Sequence, residues 1–174
     1  MVKVLARTAR RISRTYGKGN DDAPPVGGHA AALAAFGVYT AAWAGAVRAR
    51  GLPMPVRPEP WDVLLTSVAT FRLSRLVSKS SVTNPLRAPF TRYEGQQGPA
   101  EVAEEPREGP RHVVGELLTC PFCVSVWTVA TLTGASLLWP RATRTVTGAL
   151  AALAGSDALQ FAYTALSEKV TGDD

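Results

Sequence analysis

Between His29 and Arg48 the chain runs for eighteen residues, AAALAAFGVYTAAWAGAV, without a charge. As a helix rising 1.5 Å per residue this run is about 27 Å long, close to the hydrocarbon thickness of a bilayer. A second run, PFCVSVWTVATLTGASLLW from Pro121 to Trp139, holds nineteen uncharged residues, and a third, Val146 to Leu166, is interrupted only by Asp157. A fourth starts at Trp61 and then acquires Arg72, Arg75 and Lys79. Charged residues are 19% of the chain, below the roughly 25% of soluble domains. The expectation is therefore an all-α integral membrane bundle of about four transmembrane helices, near 30–47, 61–78, 120–139 and 146–166. These helices make up a membrane domain over 29–168. A buried helix of a soluble protein is the competing reading of the first run, because alanine drives insertion only weakly.

Residues 1–28 form a basic tail, with Lys3, Arg7, Arg10, Arg11, Arg14 and Lys18 preceding the first acid, Asp21. A basic segment beside an apolar helix suits the anionic surface of a cytoplasmic leaflet. Nucleic acid is the weaker match, since stacking on bases needs aromatic rings and the segment offers only Tyr16. Ala44-Gly45-Ala46 resembles a signal-peptide cleavage site, but the apolar core ahead of it exceeds the usual 7 to 15 residues. Within the first helix, Gly37, Ala41 and Gly45 make a stripe of small residues suited to close helix packing.

Lysine and arginine set the expected orientation. With the N-terminus inside, six bases of the tail, five around the long loop (Lys79, Arg87, Arg92, Arg107, Arg111) and Lys169 are cytoplasmic, twelve in all. Arg48, Arg50, Arg57, Arg141 and Arg144, five in all, fall outside. The asymmetry places both termini in the cytoplasm of a multipass protein.

Charges inside the spans need partners or water. Arg72 lies eleven residues beyond Trp61 (72 − 61), and Asp157 eleven beyond Val146 (157 − 146), so parallel helices bring them to similar depth. Glu116, at the start of the third span, has a reading as a partner of Arg72 or Arg75. The expected polar cluster is Arg72, Arg75, Glu116 and Asp157. Between spans two and three, residues 80–112 carry Pro85, Pro89, Pro99, Pro106 and Pro110 among nearly balanced charges. This composition predicts a loop that is unstructured over 96–110.

Cys120 and Cys123, in ELLTCPFCVSVW, are the only cysteines. Thr119 is the expected cap of the third helix, with Pro121 in its first turn. A thioredoxin-like reading of C-x-x-C requires a strand-to-helix context that the sequence lacks. His112, Glu116, Cys120 and Cys123 stand at spacings of 4, 4 and 3, all residue types that zinc accepts. A single helix wraps four ligands around a tetrahedral ion poorly, and packing thiols at a helix mouth are the favoured reading. No cofactor is expected, with zinc as the alternative.

The phrases LLTSVATFRLSRLVSKSSVTNPLRAPFTRYEG, GPAEVAEEPREG and VVGELLTCPFCVSVW, in that order, resemble a family of small bacterial membrane proteins of unknown function that includes a Bacillus sporulation-associated member. The resemblance covers roughly residues 60–166. It implies a multipass bacterial membrane protein and supplies no activity or catalytic residue. The chain shows no nucleophile–base pair and no phosphate-binding loop, so a noncatalytic scaffold or interaction protein is the leading expectation, with the bilayer and a protein partner or second copy as its contacts. A cysteine-dependent thiol or metal protein and a small holin-like pore are the alternatives.

Overall fold

A computed structural model describes residues 26–53, 57–109 and 111–171. The basic tail expected over 1–28 lies outside the described residues up to position 25. Four long helices account for most of the chain: α1 (Val26–Ala49), α2 (Pro60–Lys79), α5 (Pro121–Leu138) and α6 (Pro140–Thr171). Between α2 and α5 come a 3-10 turn (Ser81–Thr83), the short helix α3 (Asn84–Arg87), strands β1 (Thr91–Gln96) and β2 (Val102–Pro106), and α4 (His112–Thr119).

Prolines set three of the long helices' starts. Pro60 and Pro121 stand in the first turns of α2 and α5, and Pro140 is the first residue of α6. At these positions the missing N–H costs nothing, while the preceding residue is pushed out of helical conformation. Cys120 (φ −96°, ψ 107°) and Trp139 (φ −137°, ψ 66°) show that displacement. The uncharged run from Pro121 to Trp139 therefore begins with a break, and α4 and α5 are separate helices.

The bundle is organised around α2, which packs against both α5 and α6. Its inward face is small: Ala69, Thr70, Ser74 and Ser78 are buried. Small side chains let neighbouring backbones approach closely. Ser74 and Ser78 donate to carbonyls of their own helix, Phe71 O at 2.9 Å and Ser74 O at 2.7 Å, so neither of these two hydroxyl protons is buried unpaired, whereas Thr70 Oγ1 is buried without a hydrogen-bond partner among the described residues. The helices α2 and α6 run parallel, because the contacts Asp62–Arg144 and Arg72–Asp157 occur in the same order along both.

Helix α1 joins from the side, through aromatic rings. Phe36 and Tyr39 lie with ring centroids 5.1 and 5.3 Å from that of Trp127 on α5, and Tyr39 Oη is 2.7 Å from Thr131 Oγ1. Gly134 of α5 receives Trp43, whose Cδ2 would lie 2.4 Å from a Cβ at that position. The stripe expected to be the packing face is turned the other way: added Cβ atoms at Gly37 and Gly45 meet nothing within 4 Å. Rings bury more apolar area than a glycine face does, and they take the only inward side that α1 has.

One part of the expected architecture is corrected. The chain is mostly helical, but β1 and β2 form an antiparallel hairpin within the loop expected over 80–112, and its turn and β2 fall in 96–110, the part expected to be unstructured. The register shifts between Tyr93 and Gly95, leaving Glu94 as a bulge. Prolines exclude helix from this stretch, yet extended pairing tolerates them at strand ends, where Pro106 sits. The hairpin is ordered by what it docks against. Val102 and Thr91 are buried, Ser80 bridges to Glu101, and Ser81 N donates to Ala100 O at 3.2 Å.

Helix α4 closes over the hairpin at Gly115, where an added Cβ would lie 2.6 Å from Phe90 O and 3.1 Å from Pro106 Cα. Both neighbours are backbone atoms and cannot swing aside. Gly115→Ala is expected to destabilise the protein by about 1 to 3 kcal/mol, the usual cost of overpacking. Thermal unfolding of the purified protein measures it; an unchanged midpoint would mean that α4 does not press on the hairpin.

Of the described helices, α1 and α5 are long and apolar enough to cross a membrane. Helices α2 and α6, of 20 and 32 residues, have the length but carry charges along it.

Candidate functional site

Charged residues gather where the C-terminal half of α2, the hairpin and α6 converge. Arg72 leaves α2 towards α6, and its Nε lies 2.7 Å from Asp157 Oδ2. Ion contact is unambiguous at that distance, but the N–H does not point along the line to the carboxylate, so Nε makes no aligned hydrogen bond. The two side chains are 20% and 32% exposed. One turn further along α2, Arg75 reaches the hairpin instead. Its Nε donates to Glu101 Oε1 at 3.0 Å, and its Nη2 donates to Oε1 and Oε2 at 2.7 and 2.6 Å.

These two pairs flank a cavity of about 570 Å³. Arg72 and Arg75 stand on its α2 side, Asp157 and Gln160 on its α6 side, and Gln97 to Glu101 of the hairpin loop close one end. Phe71 and Phe161 also line it. The charges of the four ionised groups sum to zero, yet each pair comes from two different elements. The cavity thus presents two ion pairs beside apolar rings.

Behind the cavity lies an ion pair with almost no contact with solvent. Arg87 and Glu104 have side chains 0% and 2% exposed. All five guanidinium protons have acceptors: Nε donates to Glu104 Oε2 (2.6 Å), Nη1 to Val77 O (2.6 Å) and Thr83 Oγ1 (2.7 Å), and Nη2 to Ser80 O (2.9 Å) and Glu104 Oε1 (3.2 Å). Thr91 Oγ1 lies 3.2 Å from Glu104 Oε2. Two of these acceptors are carbonyls at the end of α2, where a helix leaves acceptors unsatisfied and favours positive charge. Arg87 therefore caps α2 and ties the hairpin to it at once.

Neither Arg87 nor Glu104 belongs to the cluster expected from the sequence, where both count only as balancing loop charges. The signal was alternation: Val102, Glu104 and Pro106 share one face of β2, so a buried Val102 carries Glu104 inward with it.

The remaining residues singled out in the sequence take other places. Glu116 meets neither Arg72 nor Arg75; its Oε2 lies 3.1 Å from His29 Nε2 on α1, without an aligned N–H bond. The hairpin supplies Arg75's acid, and α4 turns Glu116 towards the start of α1, where Val113 crowds Gly28. Thr119 does not cap α5. Its hydroxyl donates back to Gly115 O at 3.0 Å, and Cys120 is the cap, its Sγ accepting from Cys123 N at 3.3 Å. Both cysteines are free thiols. Among the described residues no three His, Cys, Asp or Glu side chains gather as metal ligands, so His112, Glu116, Cys120 and Cys123 are not assembled into one set.

At the opposite end of the bundle, Arg144 Nη2 lies 3.0 Å from Asp62 Oδ2, and the Arg50 guanidinium stands 5.3 Å from the centroid of Trp139.

Residues 65–163 match a family described as protein of unknown function (DUF1360). The matched stretch begins in α2 and ends in α6, so it contains the cavity, the hairpin and both cysteines and leaves out α1. No curated protein and no solved structure matches the chain.

Proposed function

The chain belongs to the DUF1360 family, and from that premise we propose that it is a multipass protein of the bacterial cell membrane, acting without catalysis as a scaffold or interaction protein. Four helices, α1, α2, α5 and α6, span the bilayer. The hairpin and both termini lie on the cytoplasmic side, and the basic tail meets anionic lipid. The observation that carries the noncatalytic reading is the mutual consumption of charge. Arg75 and Arg87 are each bonded to a carboxylate on another element, which makes a braced platform of the hairpin and the helix ends. A reactive site would instead hold a nucleophile beside a base.

The same geometry weighs against the two alternatives. Cys120 uses its sulfur as a helix cap, a structural task that accounts for its place before Pro121. A pore would line a continuous path with charge, whereas here the charged pairs brace neighbouring elements against each other. Span length for all four helices and the Lys/Arg asymmetry support the orientation. Reporter fusions after residues 55, 95, 142 and 174 should alternate outside, inside, outside, inside. A reporter at position 95 that is active outside the cytoplasm overturns the arrangement. For the scaffold reading, crosslinking from the exposed Tyr93 and Arg92 of β1 in native membranes should trap a protein partner or a second copy; capture of neither removes it.

A further inference from the structure

We propose that the cavity between α2, the hairpin loop and α6 holds the headgroup of a phospholipid that carries both a phosphodiester and a primary ammonium, as phosphatidylethanolamine does. The inference rests on the bilayer orientation given above. Under it, Arg72 stands seven residues from the cytoplasmic end of α2 at Lys79 (79 − 72), about 10 Å below that end. That is the level of the boundary between headgroups and acyl chains.

The chemistry of the walls selects the ligand. A lone anion entering beside Arg72 and Arg75 would face Asp157 and Glu101, and a lone cation beside the carboxylates would face two guanidiniums. A ligand with both charges meets all four groups with the right sign. Donor capacity is left for it. The Nη1 and Nη2 groups of Arg72 and Nη1 of Arg75 have no hydrogen-bond partner among the described residues, and Nε of Arg72 touches Asp157 without an aligned bond. The guanidinium fork matches phosphate oxygens in pairs. Asp157, one-third exposed, accepts N–H bonds from an ammonium. Phe71 and Phe161, 58% and 68% exposed, offer an apolar face along which an acyl chain descends. A volume of about 570 Å³ accommodates a ligand of this size.

The test uses the full chain in detergent, with bound lipid counted by native mass spectrometry against short-chain phosphatidylethanolamine, phosphatidylglycerol, phosphatidylcholine and the chain-free glycerophosphoethanolamine. Phosphatidylethanolamine should bind at least tenfold more tightly than phosphatidylglycerol, which lacks the ammonium, and phosphatidylcholine, whose ammonium has no N–H. Glycerophosphoethanolamine should bind weakly, since it lacks the chains. Arg72→Gln and Asp157→Asn should each lower phosphatidylethanolamine binding about tenfold. Because either change also touches the bundle, Gln160→Trp serves as a second variant: it starts from an exposed α6 position and fills the cavity without removing a charge, and it should lower phosphatidylethanolamine binding at least as much. Equal binding of the three lipids, or undiminished binding by Gln160→Trp, overturns the proposal. Glycerophosphoethanolamine binding as tightly as the lipid overturns it in favour of a soluble phosphoester ligand. Reporters that fail to alternate remove the bilayer reading, whereas correct topology without lipid selectivity removes the cavity proposal alone.

Discussion

Arg87→Leu is expected to cost about 3 to 5 kcal/mol, the usual result of breaking a buried ion pair from one side. The loss has two sources. Glu104, 2% exposed, is left as a buried carboxylate with Thr91 Oγ1 as its one remaining side-chain hydrogen-bond partner among the described residues, and Val77 O and Ser80 O at the end of α2 lose their guanidinium donors and keep only a share in the single hydroxyl proton of Thr83. An unsatisfied buried polar group costs about 1 to 3 kcal/mol by itself. Arg87→Lys should recover little, because a lysine offers three donors from one point and cannot reproduce a planar fork serving five bonds. The double variant Arg87→Leu/Glu104→Leu should be more stable than Arg87→Leu, since no charge is then stranded. Unfolding midpoints in detergent and protease cleavage within residues 91–106 report the effect together: the hairpin should become cleavable in Arg87→Leu and stay protected in the parent protein. A loss below about 1 kcal/mol would mean that the pair is hydrated and does not hold the hairpin.

The second large effect concerns Arg72 and Asp157, in contact at 2.7 Å. In the proposed bilayer arrangement a single Arg or Asp costs about 2.5 to 3.5 kcal/mol at the centre of a spanning helix and less towards the headgroup boundary, where Arg72 stands, and an opposite charge returns part of that cost. The two single variants should differ. Arg72→Leu leaves an aspartate that can take up a proton, whereas Asp157→Leu leaves an arginine that cannot lose one. Asp157→Leu should therefore be the more damaging, and the double leucine variant should be better inserted than Asp157→Leu. A double-mutant cycle should give a coupling of about 1 to 3 kcal/mol. Additive losses would show that the two groups are solvated independently, and the cavity would then lose its fixed arginine.

The features legible in the sequence depend on short stretches of chain. The long helices follow from uncharged runs and from prolines that can only begin a helix, at Pro60, Pro121 and Pro140. The neighbourhood of Arg72 and Asp157 was accessible by counting, because depth along two parallel helices is a linear quantity. The resemblance carried by the ordered motifs agrees with membership of a family of unknown function, and neither assigns an activity.

Other features depend on which faces meet. Residues 91–106 contain too little apolar surface to fold by themselves, and their order comes from Arg87, whose acceptors belong to α2, the 3-10 turn and β2 together. No spacing rule announces an arginine that caps one element and pairs with another. Glu101 rather than Glu116 receives Arg75 because the hairpin reaches back to Ser80. The small-residue stripe of α1 faces outward because aromatic rings on its other side fit Trp127 and Gly134. Helix identity is written locally, in charge, proline and length, whereas the partner of each buried charge is decided by long-range geometry: an ion pair forms with whichever opposite charge the packed backbone brings within reach.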